Sequence, residues 1–314
     1  MTRAFVFPGQ GSQTVGMGRP LAEDFAAARE VFEEVDDALN QKLSKLMWEG
    51  PESDLTLTEN AQPAIMAASL AIIRILEREA KLDLAQHARL VAGHSLGEYS
   101  ALAATGAFAL SDAAKLLRIR GRAMQEAAAP GLGAMSALLG IEVSDAEAAA
   151  VEAAAQGGVC VVANDNAPGQ VVISGTKETV ERAGEFAKGK GAKRAMMLAV
   201  SAPFHCPLMQ PAADAMREAL ASVTIRPPSA PIVANVTAAE NNEPETIRRL
   251  LVEQVTGRVR WRESVLMFRH LGVGTTVECG GNKVLTGMIK RIDRELETIT
   301  LDSPADIDAF AKRL

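Results

Sequence analysis

The chain has 314 residues, 48% of them hydrophobic and 23% charged, which is enough apolar material for a large buried core and a second, smaller module. A net charge of −6 argues against a general nucleic-acid binder, although a local basic patch survives such an average. The three cysteines are odd in number and widely spaced, with no C-x-x-C pair and no zinc-type histidine spacing, so they read as reduced thiols of a cytoplasmic protein.

Residues 3–7 form a short apolar strand that ends at Pro8, and the chain runs into it without a basic leader or cleavable apolar segment, so no secretory signal is expected. The Gly-rich turn of "FVFPGQGSQ" follows. Thr14 occupies the last glycine position of G-x-G-x-x-G and no Gly-Lys-Ser/Thr follows, so a nucleotide loop is excluded. Such a turn can instead present a backbone N–H to a reaction centre. Helices are expected near 20–40 and 61–80. The apolar run "AIMAASLAIIRIL" from Ala64 is broken by Arg74 and falls short of a membrane span of about 20 residues, so it reads as a buried helix.

In "VAGHSLGEYSA", residues 91–101, the strand "RLVAG" feeds the pattern Gly93-His94-Ser95-Leu96-Gly97. This is G-x-S-x-G, the sharp strand-to-helix turn that lifts a serine hydroxyl clear of the fold. "GEYSALAATG" is the helix that leaves it. The next helix, "SDAAKLLRIRGRAMQEA", is expected to be capped by Ser111 or Asp112. Helical spacing puts Ala113, Leu116, Leu117, Arg120 and Met124 on one face, and Lys115, Arg118 and Arg122 on an opposite, solvated face. Arg120 cannot shed its charge within an apolar stripe. It is a structural ion pair, a side chain snorkelling to the helix edge, or a fork for a substrate carboxylate. Its place directly after the serine turn favours the fork.

From about 133 to 199 the pattern changes. "AMSALLGI" reads as a strand, "SDAEAAAVEAAA" as a capped helix, and "VCVVAN" and "QVVISG" as strands around the turn "DNAPG". "KETVERAGEFAKGKG" reads as a helix and "RAMMLAV" as a strand. The order βαββαβ is ferredoxin-like. Outside it, strands alternate with helices, as in a parallel sheet covered on both faces, with "PIVANVT" and "GTTVECGG" as later strands. The fold class is therefore α/β, with a large body over 1–128 and 200–314 and a small inserted domain over 129–199.

Ser95 needs a base, and the chain has four histidines. His94 is adjacent to the serine and its side chain diverges from it. His87 precedes a strand, and His270 sits where a helix end explains it. His205, in the irregular, Pro-flanked "VSAPFHCPLM", is the choice.

The stretches "FPGQGSQ", "GHSLGEYSAL", "RGRAMQ", "NAPGQVVISG" and "SAPFHCPLM", in this order and spacing, closely resemble the malonyl-CoA:acyl carrier protein transacylase family of bacterial fatty-acid synthesis. The resemblance runs from Phe5 to about Arg294. It implies an α/β-hydrolase-like body with an inserted ferredoxin-like domain. It makes Ser95 the acyl-bearing nucleophile, His205 the general base, the backbone N–H groups of Gln10 and Leu96 the oxyanion donors, and the backbone carbonyl of Gln254 the group that orients His205. Arg120 is then the partner of the malonate carboxylate, with Gln62, Asn166, Phe204 and Met124 on the substrate cleft, the Phe204 ring filling the space that an α-methyl branch would need. Two departures stand out: "TGRVRW" lacks the family's usual Asn-Pro, and Gly281-Asn282 replaces a Pro-Gly-like pair.

The implied reaction is ping-pong transfer of malonyl from a coenzyme A thioester, through a malonyl-serine, to the phosphopantetheine thiol of acyl carrier protein, with no metal or redox cofactor. The implied protein is a monomer that meets its carrier transiently and binds neither nucleic acid nor membrane. Lys188, Lys190, Lys193 and Arg194 of "KGKGAKR" are either a docking patch for the acidic carrier or lysines favoured at a helix end. The rival readings are an acyltransferase of a polyketide pathway, a serine thioesterase or hydrolase with an acid between serine and histidine in chain order, and a non-catalytic carrier-binding subunit.

Overall fold

The computed structural model describes residues 2–129 and 131–314. Its strands are β1 (Arg3–Phe7), β2 (Leu90–Gly93), β3 (Gly133–Leu139), β4 (Cys160–Ala167), β5 (Gln170–Thr176), β6 (Arg194–Met197), β7 (Ile232–Val233), β8 (Glu240–Asn241), β9 (Thr275–Cys279) and β10 (Glu297–Leu301). Six of them form a sheet in the order β10-β9-β1-β2-β7-β8, parallel except for β8. β2 and β9 are buried along their whole length, as expected where helices cover both faces of a parallel sheet. In the register of β1 on β2, Phe7 lies beside Gly93. The Gly-rich loop and the serine turn therefore leave the sheet side by side at its carboxyl edge, where open α/β sheets bind ligands.

The other four strands form an antiparallel sheet, β4-β5-β3-β6, the ferredoxin-like order. Alternation divides its side chains. Leu138, Val171 and Ile173 pack with the helices Val143–Ala154 and Lys177–Gly189, whereas Met135, Ala137 and Val172 face the core of the body. The sheet is fastened to the body where Val259 N–H donates to Ala163 O (2.8 Å) and Asp165 N–H to Val259 O (3.0 Å).

Several local expectations are corrected. The helix near 20–40 is two, Arg19–Asp24 and Ala26–Leu39, and the next long helix begins early, at Thr58, and runs to Glu79. The arginine-bearing helix spans Leu110–Glu126 with Ala109 at its N-cap; Ser111 and Asp112 lie inside the first turn and cap nothing. Arg118 is not on a solvated face: its Nε and Nη2 are buried without partners among the described residues. The small domain's first helix starts at Val143, with no side-chain cap. β4 continues through Asp165, Asn166 and Ala167 with two register shifts, which leaves only Pro168-Gly169 as the turn. "PIVANVT" contributes just two strand residues, and β8 and β10 were not anticipated. No helix among the described residues is long and apolar enough to cross a membrane, and all three cysteines are free and buried.

Candidate active site

The serine turn is built by close approach. A Cβ on Gly93 would lie 1.9 Å from the carbonyl of Gly97, and one on Gly97 would lie 2.2 Å from Phe7 O, so only glycines let the turn fold back on itself and against β1. Ser95 sits at φ 53°, a left-handed conformation that its surroundings must enforce. Asn235 does so from just beyond β7: its Oδ1 accepts from Ser95 N–H (2.7 Å) while its Nδ2 donates to Gly93 O (2.6 Å).

His205, also left-handed at φ 56°, stands 2.8 Å from the serine hydroxyl, Nε2 to Ser95 Oγ. Its Nδ1 lies 2.9 Å from the backbone carbonyl of Gln254. A carbonyl only accepts, so Nδ1 carries the proton and the Nε2 lone pair faces the serine. Burial, reinforced by the nearby Arg120 guanidinium, pushes the His205 pKa down to about 3, so the imidazole is a neutral proton acceptor.

Arg120 is 1% exposed. Its Nη1 donates to Gln62 Oε1 (2.8 Å), and its Nη2 to Gln254 Oε1 (2.8 Å) and Ser95 Oγ (3.1 Å). The guanidinium also lies over the Tyr99 ring, 5.7 Å from its centroid, and its Nε has no partner among the described residues. Neutral amides thus hold the fork, and no carboxylate among the described residues pairs with it. The acid Glu98 lies one group further on, its Oε2 accepting from Gln254 Nε2 (2.8 Å) and Asn235 N–H (3.1 Å). Burial raises the Glu98 pKa to about 7, against the lowering effect of those two bonds and of Arg120.

These groups open on a cleft of about 340 Å³ that Gln10, Gln62, His94, Leu96, Met124, Asn166 and Phe204 also line. The N–H groups of Gln10 and Leu96 donate to no acceptor among the described residues, whereas that of Ser95 is taken by Asn235. Two unspent donors therefore remain beside the hydroxyl, as an oxyanion site requires. Asn166 Oδ1 bonds His94 Nε2 (2.8 Å), and the His94 ring packs on Trp261, so His94 braces the turn instead of serving Ser95. His87 pairs with the Asp83 carbonyl, and His270 ends the helix Trp261–His270. Gln254 lies behind the cleft wall, fully buried.

At Gly281-Asn282 the backbone turns with positive φ. Gly280, Gly281, Asn282 and Lys283 are all left-handed, at φ 82°, 85°, 53° and 66°, which a proline could not adopt. This reversal starts the helix Val284–Ile292, whose first turn forms part of the cleft rim and is held by the buried Glu278 carboxylate on the N–H groups of Leu285 and Thr286 (both 2.8 Å).

The sequence reading missed Asn235 and Glu98. Asn235 lay within an apparent strand, with no sign that its amide would reach back to the serine turn. Glu98 did carry a signal: it is the only acid in "GEYSALAA", a helix with six buried residues.

The acyl transferase domain family matches residues 4–300 of the chain. The malonyl CoA-acyl carrier protein transacylase of Bacillus subtilis strain 168 is 44% identical over 311 residues, 99% of this chain and 96% of that protein. Its counterpart of Escherichia coli K12 is 45% identical, over 98% and 97%. The crystal structure of an acyl-carrier-protein S-malonyltransferase from Bartonella henselae superposes with a TM-score of 0.97 at 53% identity, covering 100% and 99% of the two chains. A malonyl-transacylase solved in complex with its type II polyketide synthase acyl carrier protein gives 0.96 at 42% identity over the whole of both chains.

Proposed function

The chain belongs to the acyl transferase family, among the malonyl CoA-acyl carrier protein transacylases, and on that premise we propose that it carries malonyl from coenzyme A to acyl carrier protein through an ester on Ser95. The observation that carries the reading is a single oxygen: Ser95 Oγ lies 2.8 Å from His205 Nε2 and 3.1 Å from the buried guanidinium of Arg120. In a malonyl thioester one methylene separates the reacting carbonyl from the free carboxylate. A fixed cation beside the nucleophile suits that short span and gives a fatty acyl chain nothing to bind.

As Ser95 Oγ attacks the thioester carbonyl, its proton passes to His205 Nε2 and the oxyanion is received by the N–H groups of Gln10 and Leu96. The C–S bond then breaks and His205 returns the proton to the departing thiolate. In the second half the carrier's phosphopantetheine thiol gives its proton to His205 and attacks the ester, and Ser95 leaves with that proton. The bonds balance without metal or redox cofactor. Phe204, on the cleft wall, excludes an α-branched acyl group, and Gln62, Met124 and Asn166 shape the pocket around the acyl group. The product supplies malonyl-carrier protein for chain elongation in fatty-acid synthesis. The same reading takes the protein as a cytoplasmic monomer, the oligomeric state being checked by light scattering on a sizing column.

The test is intact-mass spectrometry after mixing with malonyl-CoA, beside Ser95→Ala, followed by holo carrier protein. A malonyl adduct present only in the parent protein and discharged onto the carrier is the expected result. Free malonate released without carrier would point to a hydrolase, and no adduct with no turnover would reduce the chain to a carrier-binding role.

A further inference from the structure

Beyond the reacting pair, one unbroken run of hydrogen bonds joins the arginine to the Gly-rich loop. Arg120 Nη1 donates to Gln62 Oε1 (2.8 Å), Gln62 Nε2 to Thr58 Oγ1 (2.9 Å), and Thr58 Oγ1 to Gln10 Oε1 (2.8 Å). Chemistry fixes its direction. A guanidinium only donates, so the Gln62 oxygen must face it and the Gln62 amide nitrogen must face Thr58. That nitrogen only donates too, so the Thr58 oxygen accepts from it and has its own hydrogen left for Gln10. Thr58 alone accepts and donates through one atom, and without its hydroxyl the run breaks on both sides.

Local structure does not account for that hydroxyl. Thr58 is the first residue of its helix, follows an N-cap at Leu57 and makes no capping bond, yet it is fully buried. A separate observation shows that the two helices are pressed together here. A Cβ on Gly121, the residue after Arg120, would lie 2.6 Å from both Thr58 O and Glu59 Cα. Gln10 in turn sits between Gly9 and Gly11, the latter at φ 95°, in a backbone with more freedom than most, so its N–H needs a side-chain anchor to stay aimed. The loop's other bonds, Gly11 N–H to Gln13 Oε1 and Ser12 Oγ to Gly9 O, fix its neighbours and not Gln10 itself.

The geometry points to Thr58 as a positioning residue that ties Gln10, and with it one oxyanion N–H, to the arginine that holds the acyl carboxylate. This rests on the function proposed above. Seating the carboxylate on Arg120 and stabilising the oxyanion at Gln10 then share one rigid connection, so a well-placed acyl group finds the oxyanion donor already in register.

The experiment follows single-turnover acylation by malonyl-CoA in the parent protein, Thr58→Val, Thr58→Ser, Gln10→Ala and the Thr58→Val/Gln10→Ala pair, with melting curves to confirm folding. Thr58→Val is expected to lower the maximal acylation rate about tenfold, the loss of one or two hydrogen bonds, with KM changed by less than about twofold. Thr58→Ser should restore the rate, and Thr58→Val should cost nothing further once the Gln10 side chain is gone. A Thr58→Val protein acylating at the parent rate would overturn the assignment, as would equal losses in valine and serine variants or full multiplication of the two losses in the pair. Thr58→Ala replaces valine in the same cycle if the melting curve shows that valine does not fold. A parent protein that takes no malonyl overturns the function and this inference with it.

Discussion

Arg120 keeps its charge in a buried site because its two terminal nitrogens are satisfied by the amide oxygens of Gln62 and Gln254, which leave that charge unneutralised. An arriving carboxylate is therefore the first anion to touch it. Charged hydrogen bonds contribute about 1.5–3 kcal/mol, so Arg120→Ala should cut the preference for malonyl over acetyl donors by roughly 10- to 100-fold in competitive acylation; unchanged selectivity would return the arginine to a structural role. Lysine would not rescue it, having no planar fork. The base and the buried acid set a second test. With its pKa near 3, His205 stays neutral as pH falls through 6.5, so it contributes no loss of rate there. Glu98, pushed up to about 7, takes a proton as pH falls through neutrality and becomes a weaker acceptor for Gln254 and Asn235, which position His205 and Ser95. A fall in acylation rate below pH 7 is expected in the parent and should vanish in Glu98→Gln, whose amide oxygen can take the same two bonds. A limb near 6.5 surviving in Glu98→Gln would mean an ordinary imidazole. Stability carries the opposite signs. Glu98 binds its proton more tightly folded than unfolded, so its contribution is full below about 4.5 and is lost as pH rises to about 7; that of His205 is full above about 6.5 and is lost as pH falls toward 3.

Helices and strands fix these atoms by contact, and glycines mark where contact is closest. Gly121→Ala would drive a methyl group into the backbone of Thr58 and Glu59, which cannot swing aside as a flexible side chain would. It should cost about 1–3 kcal/mol of stability in chemical denaturation and lower acylation further by displacing Arg120; a variant as stable and active as the parent would show that the two helices part freely. This element scale also explains what the sequence disclosed. The serine turn was legible because its geometry demands glycines at fixed spacing, and Arg120 because a charge in an apolar helical stripe needs an explanation. Which backbone N–H groups serve as oxyanion donors, and which carbonyl partners the base, came through family resemblance, since backbone groups leave no side-chain signature. Asn235, Glu98 and Thr58 stayed hidden because their work depends on contacts 48 to 156 residues away in the chain, which no local pattern records. The caps foreseen at Ser111 and Asp112 failed for a related reason: the helix begins two residues before a Ser111 cap would start it, at Leu110, where the buried leucine packs in the core.

At the scale of the molecule, the small sheet both walls the cleft and leads into the segment that carries His205, the base of the proposed reaction. Met135 and Val172 face the site from β3 and β5, and the chain leaving β6 lines it with Leu198, Ala199 and Val200 before reaching His205. At this edge, the end of β6 leaves Met196 and Met197 each 46% exposed beside the exposed Arg194. The basic run there is not uniform. Lys188 is paired with Glu185 and Lys190 with Glu152, whereas Lys193 and Arg194 have no ion-pair partner among the described residues. Only the latter two keep their full charge for an acidic partner, and they adjoin the strand that leads into the cleft. Reversing both, Lys193→Glu with Arg194→Glu, should raise KM for holo carrier protein by about tenfold at low salt, with the difference shrinking as salt screens the charges. Acylation by malonyl-CoA should be untouched, because neither residue lines the cleft. Reversing Lys188 and Lys190 should change KM little, since each already spends its charge within the small domain. Equal effects from the two pairs would mean that net charge alone draws the carrier in, and no effect from either would place docking on another face of the cleft mouth.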